Sequence, residues 1–185
     1  SIFWNLICHL SQNCSGKAAT NFRLHRWISR RLRNGPHRAL ITGGRRIGAV
    51  VATELARHGA DVALVYRTSR TEAEETADAV RALGRRAATL RLDLADDQSL
   101  GALGPSARDA LGRLDVWVNN AGADILTGAG GSLTPAEKID QVLSVDPRGT
   151  MLASWQAADM LGAQESGGVI INMSWDHVIA GMPGL

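Results

Sequence analysis

The chain has 185 residues, 45% of them apolar and 21% charged, a composition that fits one globular domain with a core of its own. No apolar run approaches the roughly 20 residues that a membrane-spanning helix requires. The net charge of +2 hides an asymmetry: residues 1–38 hold seven basic side chains and no acid, whereas residues 39–185 hold 13 basic against 18 acidic.

The first segment, 1–37, reads as a basic tail, disordered or not native, ahead of a mildly acidic domain at 38–185. Its Arg-rich, acid-free composition is that of an organelle transit peptide. The apolar start at Ser1–Ile7 is short, has no basic region before it and fits a secretory signal poorly. The arginines carry no interleaved aromatic pattern for stacking bases, so no nucleic-acid partner is expected. Both cysteines, Cys8 and Cys14, lie here, and with His9 and His25 they match no zinc spacing; no metal and no disulfide framework are expected. We read the tail, which begins at Ser, as an incomplete or mis-started product, and expect a cytoplasmic protein without a membrane partner.

From Arg38 onward, short apolar runs alternate with helix-period stretches. Strands are expected at Ala39–Thr42, Asp61–Tyr66, Ala87–Leu92, Val116–Asn119 and Gly168–Met173. Helices are expected at Ile47–His58, Thr71–Leu83, Ser99–Leu111 and from Pro135 towards Gly162. Ala49, Val50, Ala52, Leu55 and Ala56 supply an apolar face for the first helix. Thr71 with Glu74 reads as a capping box for the second, and Thr134, Pro135 and Glu137 as the start of the last. Pro147 is expected to kink that long helix. Repeated strand–helix–strand units imply right-handed crossovers and a parallel sheet, whose ligands bind beyond the carboxyl ends of the strands.

The residues just after each strand therefore carry the functional reading. After the first strand comes Thr42-Gly43-Gly44-Arg45-Arg46-Ile47-Gly48, a glycine turn opening a helix, which aims backbone N–H groups and a positive dipole end at one spot suited to a pyrophosphate. Gly43 permits the tight turn, and Gly48 lets the helix start close to the sheet. After the second strand come Arg67, Thr68 and Ser69 with no acid to grip a ribose hydroxyl; with Arg45 and Arg46 they offer cations and hydroxyls to a 2′-phosphate. Asp93-Leu94 follows the third strand, Asn119-Asn120-Ala121-Gly122 the fourth, and Ser174-Trp175-Asp176 the fifth.

This ordered set closely resembles the short-chain dehydrogenase/reductase superfamily over roughly residues 39–185. Arg46, at the position of the middle glycine, is similar to members of the pteridine reductase and 3-oxoacyl-carrier-protein reductase kinds. The resemblance implies a Rossmann-type, doubly wound parallel sheet in three αβα layers, strand order 3-2-1-4-5, with the family's last strands missing. It also implies an NADP(H)-preferring oxidoreductase acting on a small carbonyl or alcohol substrate, with a full-length parent that is a homodimer or homotetramer. The cofactor would be held by Thr42, Gly43, Gly44, Arg45, Arg46, Ile47 and Gly48, by Arg67, Thr68 and Ser69, by Asp93 and Leu94, and by Asn119, Asn120, Ala121 and Gly122. Asp93 is placed at the adenine by resemblance and is equally read as a cap; the Asn pair is read either as a floor under the nicotinamide ribose or as a purely structural link.

The sequence departs from the family at several points. The glycine turn is one residue short. Asp146 takes the place of the family's helix Asn, and Trp175 falls on its Ser, leaving Ser174 one position early and Asp176 one late. Ser174, Asp176 and Asp146 are the catalytic candidates, while Trp175 reads as packing or stacking and His177 as a loop residue. The family's Tyr-x-x-x-Lys pair is absent: the one tyrosine, Tyr66, is followed four positions on by Arg70, and the lysines are Lys17 and Lys138. It would fall beyond Leu185. Two other readings follow, a dinucleotide-binding sensor without turnover and an inactive truncated product. With the fifth strand left as an open edge, marginal stability is expected.

Overall fold

The computed structural model describes residues 37–173; the basic tail with its two cysteines, and Ser174, Trp175, Asp176 and His177, lie outside the described residues. The elements in order are β1 (Arg38–Thr42), α1 (Ile47–Arg57), β2 (Asp61–Tyr66), α2 (Arg70–Ala82), β3 (Ala87–Arg91), α3 (Asp97–Leu111), β4 (Val116–Asn119), a single turn α4 (Gly128–Gly131), α5 (Pro135–Leu143), a π turn (Ser144–Gly149), α6 (Thr150–Gly162) and β5 (Val169–Asn172).

All five strands pair in parallel in the order β3-β2-β1-β4-β5, as expected. The three interior strands are buried on both faces apart from Arg38, which explains their near-continuous apolar runs. Edge strand β3 is only half-buried. Helices α1 and α2 cover β1 to β3 and pack on each other, while α3 packs on β2 and β3 and meets α6, which covers β4 and β5. Leu40, Val65, Leu103, Leu111, Trp117 and Leu161 are central to the core under α3 and α6.

Two local expectations are corrected. Val50 is more than half exposed, and Val51 takes its place on the stripe with Gly48, Ala52, Leu55 and Ala56. Shifting the face by one residue aligns it on the 48-51-52-55 spacing of a helix. Helix α2 begins at Arg70 with Ser69 at its cap and no side-chain cap bond, so Thr71 and Glu74 form no capping box. Glu74 instead accepts from Thr89 Oγ1 at 2.6 Å and ties α2 to β3. The box expected at the start of α5 is present: Thr134 Oγ1 accepts from the Glu137 amide, and Glu137 Oε2 from the Thr134 amide at 2.8 Å.

The long helix runs from Pro135 to Gly162, interrupted where Pro147 removes a donor. A π turn over Ser144–Gly149 takes the place of a simple kink, and Ser144 Oγ returns a bond to Asp140 O at 2.8 Å. A second proline, Pro105, lies inside α3 and deprives the Gly101 carbonyl of its helical donor. Gln156 of α6 fills the gap, its Nε2 donating to Gly101 O at 3.1 Å while its Oε1 accepts from the Gly104 amide at 2.8 Å.

At the amino end of the sheet, buried Asp61 accepts from the Arg86 amide at 3.0 Å, from Arg86 Nε at 2.9 Å and from Arg85 at 2.7 Å. Burial by itself would raise its pKa, but these bonds and cations together lower it. Arg86 also donates to Leu111 O at 3.0 Å, closing the last turn of α3.

Candidate functional site

The carboxyl ends of the strands gather the expected residues on one rim. In register, Thr42 lies beside Asn119, and Asn119 beside Asn172. Thr42 is fully buried, and its hydroxyl oxygen accepts from the amides of Asn120 and Ala121, both at 3.0 Å. Asn120 returns the link, its Nδ2 donating to Thr42 O at 3.1 Å and Gly43 O at 2.9 Å. These four bonds knot the glycine turn to the loop after β4 (Asn120 to Gly122).

The turn itself is compact. The Gly43 and Gly44 amides both donate to Val65 O, at 2.9 and 3.2 Å. Gly43 has φ +80°, and a Cβ on Gly48 would overlap the Gly43 carbonyl oxygen. Those two amides are committed to β2, and at the start of α1 the Gly48 amide donates to Arg45 O at 3.0 Å. Arg46 caps that helix at φ 52°, ψ −117°, and is the one non-glycine with positive φ among the described residues. The resemblance puts a glycine at this position, and the backbone shows why. Arg45, Arg46 and Ile47 are exposed along the mouth, and Gly44 is buried against Leu64 and Ala73.

Arg67 and Thr68 are exposed beyond β2, with Ser69 half-buried, and Arg67 has no ion pair among the described residues. Arg45, by contrast, lies 4.0 Å from Glu72 and 3.6 Å from Asp124. Asp124 is held at a pKa of about 2 by the Thr127 hydroxyl and amide and by the Leu126 amide, with Arg46 adding a smaller effect. Asp93 forms a local turn, accepting from the Ala95 amide at 2.9 Å, and Leu94 is buried against Gly149 of the π turn.

Asn119 is buried and fully engaged. Its Oδ1 accepts from Trp117 Nε1 at 2.8 Å, and its Nδ2 donates to Asn172 Oδ1 at 2.7 Å and Ser154 Oγ at 3.0 Å. It thus belongs to a polar link between β4, β5 and α6 that sequence reasoning did not assign to the site; Trp117 and Asn172, polar atoms within apolar strands, were the signal. Asn120 is the partner that touches the turn. Asp146 projects from the π turn and accepts from the Ala123 amide at 2.7 Å, beside Gly122. Desolvation raises its pKa, partly countered by that bond. Glu72 and Asp124 were not foreseen either, since neither lies in a recognised motif.

A turn a Cβ would fill, a helix start beside it and an Arg67 without an ion pair among the described residues fit a dinucleotide phosphate set. Among the described residues no cluster of three or more His, Cys, Asp or Glu is arranged to hold a metal.

Comparison with known proteins agrees with this geometry. The short chain dehydrogenase family profile matches residues 37–184. An uncharacterized oxidoreductase of Bacillus subtilis is 37% identical over 139 residues, 74% of this chain and 49% of the relative. Hydroxynaphthalene reductase of Aspergillus fumigatus is 35% identical over 147 residues, 79% and 52% of the two chains. Among solved structures, a short chain dehydrogenase from Burkholderia cenocepacia in complex with NADP superposes with TM-score 0.64 at 41% identity, over 74% of this chain and 54% of that one. Acetoin dehydrogenase from Salmonella typhimurium gives TM-score 0.70 at 32% identity, over 80% and 61%. The chain spans about half the length of the curated relatives it matches. It belongs to the short-chain dehydrogenase/reductase family.

Proposed function

We propose that this chain is the cofactor-binding part of an NADP(H)-preferring oxidoreductase, in which hydride passes between nicotinamide and a small carbonyl or alcohol substrate. The observation that carries the reading is the knot of Thr42 and Asn120, which sets the glycine turn, the start of α1 and the loop after β4 around one cleft. In this reading Thr42 to Gly48 receive the pyrophosphate, with the α1 amides as donors. Arg67, Thr68 and Ser69 receive the 2′-phosphate, Asp93 and Leu94 border the adenine, and Asn119, Asn120, Ala121 and Gly122 floor the nicotinamide end.

When bound, the cofactor would give or take the hydride; the chain supplies position. Asp146 holds the loop at Ala123 through its Oδ1, and ionised it has acceptor capacity left for a water or substrate hydroxyl. Ser174 and Asp176 complete the candidate catalytic set beyond β5. The NADP named in the Burkholderia neighbour's structure supports the cofactor reading. A homodimer or homotetramer of the whole protein belongs to the same reading, supported by the outward Met151 and Trp155 of α6, the latter 68% exposed. So does a cytoplasmic location; no described helix is long and apolar enough to cross a membrane.

The test is a titration of NADPH and NADH onto the chain and its Arg67→Gln variant. Tighter binding of NADPH, reduced towards that of NADH by the substitution, is expected. Equal affinities in the unaltered chain would remove the 2′-phosphate assignment.

A further inference from the structure

Arg45 is the one cation of the glycine turn drawn into ion pairs among the described residues, and its two partners come from different parts of the sheet. Glu72 lies in the first turn of α2, immediately after Arg67–Ser69, and Asp124 lies in the loop after β4. The Glu72 backbone and the Asp124 carboxylate are held where they stand. Thr76 Oγ1 lies 3.0 Å from Gly44 O and 2.8 Å from Glu72 O, which pins the start of α2 against the glycine turn. Asp124 accepts from the amides of Leu126 and Thr127, at 3.2 and 2.9 Å, and from the Thr127 hydroxyl. The guanidinium is therefore bracketed across the mouth of the cleft by one acid on the α2 side and one on the β4 side.

A ribose 2′-phosphate brings about −1.5 to −2 charge near neutral pH. Delivered to the loop after β2, it meets Arg67, which has no ion pair among the described residues. To recruit Arg45 as well, it must take the guanidinium from Asp124 and accept Glu72 as a close like charge. A ribose carrying only its hydroxyl makes neither demand. Resting on the NADP(H) reading above, we propose that Glu72 and Asp124 are specificity-determining residues: they withhold Arg45 from the 2′-phosphate and so limit the preference for the phosphorylated dinucleotide. Cofactor choice is then set by two acids outside the family motifs, in addition to the basic residues after β2.

The experiment compares dissociation constants for NADPH and NADH, by calorimetric titration at low ionic strength, in the unaltered chain and in Glu72→Gln and Asp124→Asn. Both substitutions keep side-chain size, and the Asp124→Asn amide oxygen still accepts from the Leu126 and Thr127 amides. Each variant is expected to raise the NADPH-over-NADH ratio about threefold, the scale of an exposed ion pair, through NADPH alone. The gain should vanish in an Arg45→Gln background. Binding with an unchanged ratio in both variants, or a gain that persists without Arg45, overturns the bracket while leaving the cofactor site standing. An unaltered chain that binds neither dinucleotide overturns the cofactor reading, and the bracket with it.

Discussion

Arg46 and Asp146 both stand where the family pattern carries another residue, and both show a physical cost. Arg46 is held at φ 52°, a conformation that favours glycine. Relief of such strain is worth about 1–3 kcal/mol, and the greater freedom of glycine in the unfolded chain returns about 1 kcal/mol of that. Arg46→Gly should therefore stabilise the fold by about 1 kcal/mol, read as a rise in Tm of a few degrees; a fall would show that the arginine side chain contributes more than its backbone costs. Asp146 is partly desolvated, and its pKa is raised. An acid with a raised folded pKa binds its proton more tightly in the native state, so its stability contribution is lost as pH rises from the unfolded value of about 3.8–3.9 through the folded one. Asp146→Asn keeps an oxygen for the Ala123 amide and removes the charge. It should raise Tm at pH 7.5 by more than at pH 3, where the carboxyl is protonated in both states, and an equal gain at the two would argue against desolvation as the cause.

Among elements, the strands were the most readable in sequence, because parallel strands covered on both faces need unbroken apolar runs and β1, β2 and β4 have them. The start of α5 was equally readable, since a capping box is local chemistry. Features that depend on a distant partner were not. Ser69, with no side-chain cap bond, precedes α2, while Glu74 is taken by Thr89 of β3. Pro105 sits mid-helix because Gln156, 51 positions later, serves the carbonyl it orphans. Gln156→Leu leaves the Gly101 carbonyl and the Gly104 amide without that partner and should cost about 1–3 kcal/mol in denaturant unfolding. Gln156→Glu, which keeps the acceptor and loses the donor, should fall between; equal loss in both would place the whole effect on the Gly101 side.

At the scale of the molecule, the parallel sheet followed from alternation of element types and the strand order from the family resemblance, and together they place the carboxyl ends of β1, β2 and β4 on a common rim. The motif residues on that rim were readable because each follows a strand directly. The network joining them was not: Thr42 bonds to Asn120 across 78 residues, and Asn119 turns out to bind Trp117, Ser154 and Asn172 in place of the turn. Arg45's two acids escaped for the same reason, being close in space and remote in sequence. In the proposed function a dinucleotide sits between the glycine turn and the loop after β4. Amide hydrogen exchange of the chain with and without saturating NADPH tests it most directly. Slowed exchange concentrated in residues 43–50 and 119–123 is the predicted result. Saturable binding with protection elsewhere, or no protection at these two segments, would contradict it.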